Sequence, residues 1–258
     1  MENPREQIDE VPFFEKEPVA SSENFEVHYD QEAEENIPEG LESKLEEVKD
    51  LVDRMLDLDE RTDKTKIYLF SNKEQYQRHI KDHDLPKGEA TFDTEAGAIL
   101  ILVGEREKGE FLGGIAHEMA HFNPFFGGVG NDPERSKWEQ EMVCNFVGNQ
   151  IGVEFGDKEI NNRKLLVAKE ELSRIKKFSW REKEYDWENF LALEVLVYPW
   201  LEKRYGMKKL QGLWGKLFKE RQNLASSIKD IYKQELPELE REFAADILKA
   251  ETYKDFME

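Results

Sequence analysis

The sequence predicts an α+β fold, with a small mixed sheet and its helices in the first half and a mostly α-helical second half. An alternating segment at 23–30 and a continuous apolar segment at 98–103 predict strands. Beyond about residue 123, apolar residues recur at helical spacing. Three parts are expected: an extended arm at 1–22, an α/β subdomain at 23–130 and a helical subdomain at 131–258.

Strand and helix signals alternate in the first half of the chain. The segment ENFEVHYD (23–30) places Phe25, Val27 and Tyr29 on one face and His28 on the opposite, polar face, where it is expected to be exposed. The further elements expected are a helix at 39–58, a strand at 66–70, a helix at 73–83 capped by Ser71 or Asn72, two strands across 88–105 with a turn at 93–97, and a helix at 109–123.

Helices account for the second half. Pro124 ends the helix at 109–123, and the segment 125–133 is a glycine-rich loop. Asp132 and Pro133 supply an N-cap and a first-turn proline for a helix that runs to about 151. Further helices are expected at 158–177, 187–205, 207–221, 224–234 and 237–250.

The composition limits the classes of partner. Acidic residues outnumber Lys and Arg by 57 to 37, so the net charge of −20 repels phosphate. Nucleic acid and anionic membranes are therefore not expected as partners, whereas basic substrates are favoured. The single cysteine excludes an internal disulfide. Without a signal-like N-terminus or a membrane-spanning apolar run, a cytoplasmic protein is expected; a processed, secreted form beginning at Met1 is the alternative.

One pentapeptide, HEMAH at 117–121, predicts a metal site. Residues four apart on a helix share a face, so His117 and His121 can direct two imidazoles at one point. Two neutral imidazoles suit zinc. Glu118 lies beside that point and can take a proton from a metal-bound water. The uncharged flanks of the motif predict a buried helix, in which bare histidines need partners.

A catalytic zinc site keeps three protein ligands and an open position, so a third ligand is expected. In the metzincin pattern a histidine follows six residues after the second histidine, and here that residue is Gly127. Asp132 lacks the motif that surrounds an aspartate ligand. A glutamate on the next long helix remains, and Glu139 and Glu141 both lie at a suitable distance.

At these residues the chain resembles the gluzincin metallopeptidases, the thermolysin-like zincins of clan MA, and within them the peptidase MA-like domain family. HEMAH matches the zinc motif, and KWEQEMVCNF resembles a segment in which a Trp, here Trp138, precedes the ligand Glu by three residues. ENFEVHYD and AGAILIL are similar to family strands, and YPWLEKRYGMKKLQGLWGKL and ELPELEREFAADIL to its C-terminal helices. The resemblance implies one Zn²⁺ per chain, held by His117, His121 and Glu141, with Glu139 as the alternative third ligand.

Three residues near Glu141 bear on that resemblance. Asn145 stands where the family usually has a carboxylate that orients a ligand histidine; its amide oxygen can still accept the imidazole N–H, with less charge. Met142 replaces a glycine and leaves less room beside the metal. Cys144 is expected to be a small buried residue, with a thiolate ligand as the alternative.

The family also supplies a donor to the oxyanion, often a tyrosine on the later helices. The register places that position near Phe190 or Leu191, neither of which can donate. Tyr185 and Tyr198 are the alternatives, and neither is preferred.

The implied reaction is hydrolysis of a peptide bond in a peptide or protein substrate. Zinc acidifies its bound water, and Glu118 accepts the proton and passes it to the departing amine. The strand at 98–102, with Ala98, Ile99 and Leu100, is expected to bind the substrate as an added strand.

Three other functions compete with a peptidase. They are an inactive zincin-fold binding module, a zinc hydrolase of a non-peptide amide, and a wholly helical interaction protein with an accidental motif. Met142 and the missing tyrosine favour the binding module, whereas the intact Glu118 opposes it.

A second histidine pair, His79 and His83, also has a spacing of four residues. The neighbouring Lys81, Asp82 and Asp84 favour an exposed helix face with solvated histidines. Because no third ligand is evident, that interpretation is preferred over a second metal site.

Overall fold

The computed structural model describes residues 17–29, 37, 39–58, 64–82, 85, 90–93, 97–103, 108–121, 137–156, 160–174, 180 and 187–257, without the side chains at 108–109, 137–139, 160 and 187–194. These residues form a mixed α+β fold, as predicted. They group into two compact units. The first unit lies within Met1–Glu47 and Arg61–Arg106, and the second lies within Val48–Glu60 and Glu107–Glu258. The presence of a sheet shows that the wholly helical alternative is wrong.

The predicted strands and helices occur in the predicted order, and the short first strand and the last helix are additional elements. The strands are β1 (Ala20–Ser21), β2 (Phe25–Tyr29), β3 (Thr65–Phe70), β4 (Ala90–Asp93) and β5 (Ala98–Leu102). The helices are α1 (Leu41–Leu56), α2 (Lys73–Asp82), α3 (Lys108–His121), α4 (Lys137–Glu154), α5 (Ile160–Arg174), α6 (Trp187–Tyr205), α7 (Met207–Trp214), α8 (Leu224–Tyr232), α9 (Leu236–Lys249) and α10 (Tyr253–Met257), and a π-helical turn, Gly215–Lys219, follows α7.

The first unit contains a five-stranded mixed sheet in the order β1-β2-β3-β5-β4. The three central strands are parallel, and β1 and β4 are antiparallel to their neighbours. β3 and β5 are buried along almost their whole length. Such continuous burial is typical of central parallel strands, which are covered on both faces.

Helix α2 packs on this sheet through the apolar residues that its sequence repeats. Its buried Tyr76 and Ile80 join Tyr68, Phe70 and Leu100 of the strands in one cluster. The helix begins where predicted, because the Asn72 side chain accepts a hydrogen bond from the backbone N–H of Gln75 at 3.0 Å. Of the two predicted caps, Asn72 is therefore the one used.

The predicted exposure of His28 is wrong. His28 is buried, and its ring stacks on that of Tyr68 with centroids 4.6 Å apart. The two residues are partners in the parallel ladder between β2 and β3. The alternation in the sequence indicated a strand with one wet face, but β2 lies inside the sheet, where both faces are covered.

The predicted N-terminal arm contains a short strand. Ala20 and Ser21 pair with Val27 and Glu26 as β1, and so form an edge of the sheet. Two residues carry too short a pattern to predict a strand. Residues 1–16 of the arm lie outside the described part of the chain.

The second unit contains α3 to α10 and most of α1. The helix with the HEMAH motif therefore groups with the helical part, whereas the predicted boundary at 130 placed it with the strands. The reason is the close packing of α3 along α4, described below. No helix within the described ranges is long and apolar enough to cross a membrane.

Candidate metal centre

Helices α3 and α4 carry the predicted metal ligands. Apolar residues within and just before the motif, among them Ile115, Ala116 and Met119, are buried and fix the orientation of α3. The same orientation leaves the side chains of His117 and His121 21% and 20% exposed, and that of Glu141 31% exposed. The three side chains are thus held by a buried helix pair yet remain open to solvent.

The three predicted ligands converge. The Nε2 atoms of His117 and His121 lie 3.3 Å apart. One oxygen of Glu141, Oε2, lies 3.4 Å from Nε2 of His117, and the other, Oε1, lies 3.6 Å from Nε2 of His121. Among the described residues these three form a group that could hold a metal ion.

The spacing of these atoms fits zinc. Two ligand atoms at about 2.05 Å from a zinc ion, separated by the tetrahedral angle, lie roughly 3.3 Å from each other. The distance of 3.3 Å between the two Nε2 atoms matches that value, and each Nε2 atom lies at a similar distance, 3.4 or 3.6 Å, from one of the two Glu141 oxygens. Two imidazoles and a carboxylate are also one of the ligand sets that catalytic zinc sites use, with the fourth position open.

Glu118 is buried and interacts with two of the three candidate ligands. Only 7% of the Glu118 residue is exposed to solvent. Burial raises the pKa of its carboxyl to about 7; the negative charge of Glu141 acts in the same direction, and the charge of His117 acts against it. A carboxylate in this position has lost its hydration and is close to the ligand groups. Its proton affinity is therefore set by burial and by the charges of His117 and Glu141.

The two histidines differ in their proton affinity. Burial lowers the pKa of His121 to about 4, and the charge of His117 adds to this effect. Burial also acts to lower the pKa of His117, but its hydrogen bond to Glu141 and the charges of Glu118 and Glu141 raise it above its usual value. His117 therefore has the higher proton affinity of the two, and its direct partner is the Glu141 carboxylate.

Asn145 lies where the sequence predicts a partner for a ligand histidine. A hydrogen bond with Asn145 is among the causes that raise the pKa of His117. The Nδ2 atom of Asn145 is buried without a hydrogen-bond partner within the described residues, so the oxygen is the atom that faces the ring. An amide oxygen that accepts a hydrogen bond from an imidazole N–H restricts the orientation of the ring.

Other residues singled out from the sequence are buried. Met142 is 2% exposed, and Cys144 is fully buried, with a pKa that burial raises well above its usual value, so a thiolate there is disfavoured. Tyr198 packs in an aromatic cluster with Phe146 and Trp214. His79, of the second histidine pair, is partly buried, with its ring 6.0 Å from that of Phe70.

Several predictions fall outside the described residues or side chains. These concern His83, residues 122–136, which include Pro124, the loop predicted at 125–133, Asp132 and Pro133, and the side chains of Trp138, Glu139, Tyr185, Phe190 and Leu191.

The sheet topology corrects the predicted substrate strand. β5 has β3 on one side, paired with Ala98 to Leu102, and β4 on the other, paired with Ala98 to Ile101. Ala98, Ile99 and Leu100 therefore lie in an internal strand, to which a peptide cannot add. The continuous apolar segment that predicted β5 is also typical of a central strand, because such a strand is covered on both faces. The edge strand at this end of the described sheet is β4.

Comparison of the chain with models of protein families, with curated proteins and with solved structures finds no match. The candidate metal centre is therefore supported by the residues and distances of this chain alone. Sequence reasoning missed two residues of the α3–α4 pair, Gly113 and Gly148, whose only signal is their helical spacing from the ligands.

Proposed function

We propose that the chain is a zinc-dependent metallopeptidase, with His117, His121 and Glu141 as metal ligands and Glu118 as the general base. The observation that carries this proposal is the convergence of the two Nε2 atoms, 3.3 Å apart, with the Glu141 carboxylate, one oxygen of which lies within 3.6 Å of each, beside the buried Glu118 on the helix of the two histidines. A purely structural zinc site closes with four protein ligands and needs no base, whereas a catalytic site keeps three ligands and an open position.

Each side chain of the centre has a role in this reaction. When bound, zinc supplies a Lewis acid that acidifies water and polarises the substrate carbonyl. Glu118 accepts the proton of the attacking water and returns it to the departing amine. Asn145 holds the ring of His117 in the ligand orientation. The partial exposure of the three ligand side chains supports access for a substrate.

A peptide-cleavage assay tests this proposal. The zinc-loaded protein and its Glu118→Gln variant are each incubated with a diverse peptide mixture, and new termini are identified by mass spectrometry. Cuts made by the unaltered protein alone, with zinc bound to both proteins, would support a peptidase and reveal its sequence preference. Zinc binding without cuts by either protein would refute the peptidase and favour a binding module or a hydrolase of a non-peptide amide.

A further inference from the structure

Helices α3 and α4 come into backbone contact at two glycines. A Cβ built on Gly113 would lie 2.6 Å from the carbonyl oxygen of Gly148, and a Cβ built on Gly148 would lie 2.7 Å from the carbonyl oxygen of Gly113. Cβ atoms essentially never lie within 3.0 Å of another atom, and here the opposing atom belongs to the backbone and cannot rotate away. Any residue other than glycine would force the two helices apart.

The two glycines lie on the same helix faces as the metal ligands. On α3, Gly113 precedes His117 by four residues and His121 by eight; on α4, Gly148 follows Glu141 by seven. Residues with these spacings line one face of a helix. The contact also reaches the ligands directly, because a Cβ on Gly148 would lie 3.0 Å from the Cβ of His117. The helix interface thus has the glycine contact at one end and the ligands at the other.

We propose that Gly113 and Gly148 are positioning residues, which set the helix separation at which Glu141 reaches both histidines. This inference rests on the proposed metal centre. Glu141 is the ligand that α4 contributes to the described group, so a shift of α4 moves it relative to His117 and His121 together. An added Cβ requires a shift of several tenths of an ångström, whereas ligand distances at a metal are kept within about 0.2 Å.

The test is metal affinity in alanine variants that leave every ligand unchanged. Gly113→Ala is the main variant, since the added methyl group meets backbone of α4 and no ligand atom. Zn²⁺ affinity is measured by competition with a chelator, and the visible spectrum of bound Co²⁺ reports its coordination geometry. Gly212→Ala is the matched control, because Gly212 is also helical and a Cβ there makes only an ordinary 3.4 Å contact with Cδ1 of Ile231.

Gly113→Ala is expected to lower Zn²⁺ affinity roughly tenfold to a hundredfold, the effect of displacing a ligand's support, and to change the Co²⁺ spectrum. Gly148→Ala should act in the same way. The double variant should lose less than the sum of the two losses, because one methyl group already separates the helices. Gly212→Ala should leave both measurements unchanged.

Three outcomes would overturn the inference. If folded Gly113→Ala and Gly148→Ala bind Zn²⁺ as tightly as the unaltered protein does, the glycines do not position the ligands, and the metal centre itself still stands. If both variants fail to fold while Gly212→Ala folds, the contact serves general packing. If the unaltered protein binds no Zn²⁺, the proposed function fails as well.

Discussion

The Nε2 atoms of His117 and His121 face each other at 3.3 Å. Two neutral imidazoles at this distance satisfy each other only if one nitrogen carries a hydrogen and the other does not. A cation bound by both Nε2 atoms removes that requirement, because each neutral imidazole can then offer the Nε2 lone pair and keep its hydrogen on Nδ1. The Glu141 carboxylate, which approaches both rings, supplies the negative charge for such a cation.

Replacement of Glu141 tests the third ligand. Glu141→Gln keeps the size of the side chain but removes the charge and one acceptor oxygen. Zn²⁺ affinity should therefore fall by more than about a hundredfold, which exceeds the loss expected when a residue that only hydrogen-bonds a ligand is replaced. Isothermal titration with Zn²⁺ measures the change. Glu139→Gln is the matched control, since Glu139 is the alternative ligand, and it should bind Zn²⁺ normally. The reverse result would assign the ligand to Glu139.

Replacement of Asn145 tests the orientation of His117. Asn145→Leu removes the acceptor while keeping the volume, so the imidazole loses its hydrogen-bond partner, and Zn²⁺ affinity should fall about 10- to 100-fold. Asn145→Asp, which supplies a charged acceptor, should bind Zn²⁺ at least as tightly as the unaltered protein. Equal affinities of the leucine variant and the unaltered protein would show that the hydrogen bond does not support the site.

The centre was predictable from sequence because its residues carry local patterns. The spacing of His117 and His121 requires only a helix, and their position on a buried helix follows from the uncharged flanks. Glu141 could be chosen over Glu139 only through the resemblance to gluzincins. In the structure the Glu141 carboxylate approaches both histidines, through one oxygen each.

The failures of sequence reasoning share a physical cause, which is that a single chain does not reveal what its elements pack against. The polar neighbours of His28 indicated an exposed face, but β3 supplies Tyr68 next to it in the sheet. The apolar run at 98–102 indicated a strand without its neighbours, and β5 proved internal. Gly113 and Gly148 have only their helical spacing from the ligands as a signal, since their importance comes from the approach of another helix.

A buried amide pair between α4 and α5 should contribute to stability. The Nδ2 atom of Asn149 donates to Oδ1 of Asn161 at 2.7 Å, and Nζ of Lys164 donates to Oδ1 of Asn149 at 2.8 Å. Asn149→Leu deprives both partners of a buried hydrogen bond and should lower the free energy of unfolding by about 2 to 3 kcal/mol, as measured by urea denaturation. Asn149→Asp should cost less, since a carboxylate still accepts from Lys164. Equal losses for both variants would contradict this.

The raised pKa of Glu118 predicts a pH-dependent stability difference in the zinc-free protein. The carboxyl titrates near 4.5 when unfolded and near 7 when folded, so the folded state holds the proton more tightly. Between pH 4.5 and pH 7 the unfolded state binds fewer protons than the folded state does. The free energy of unfolding therefore falls as the pH rises through this range, by about 3 kcal/mol in total. The Glu118→Gln variant has no carboxyl to ionise, so its free energy of unfolding should not fall in this way. Its stability advantage over the unaltered protein should be absent near pH 4.5 and reach its full size above pH 7.

Urea denaturation of the zinc-free proteins at pH 5 and pH 8 measures this difference. Glu110→Gln, at an exposed position of the same helix, controls for the removal of one negative charge. Saturating Zn²⁺ should reduce the advantage at pH 8, because a nearby cation stabilises the Glu118 carboxylate. An advantage of equal size at pH 5 and pH 8 would show that Glu118 ionises in the folded protein as it does in the unfolded chain.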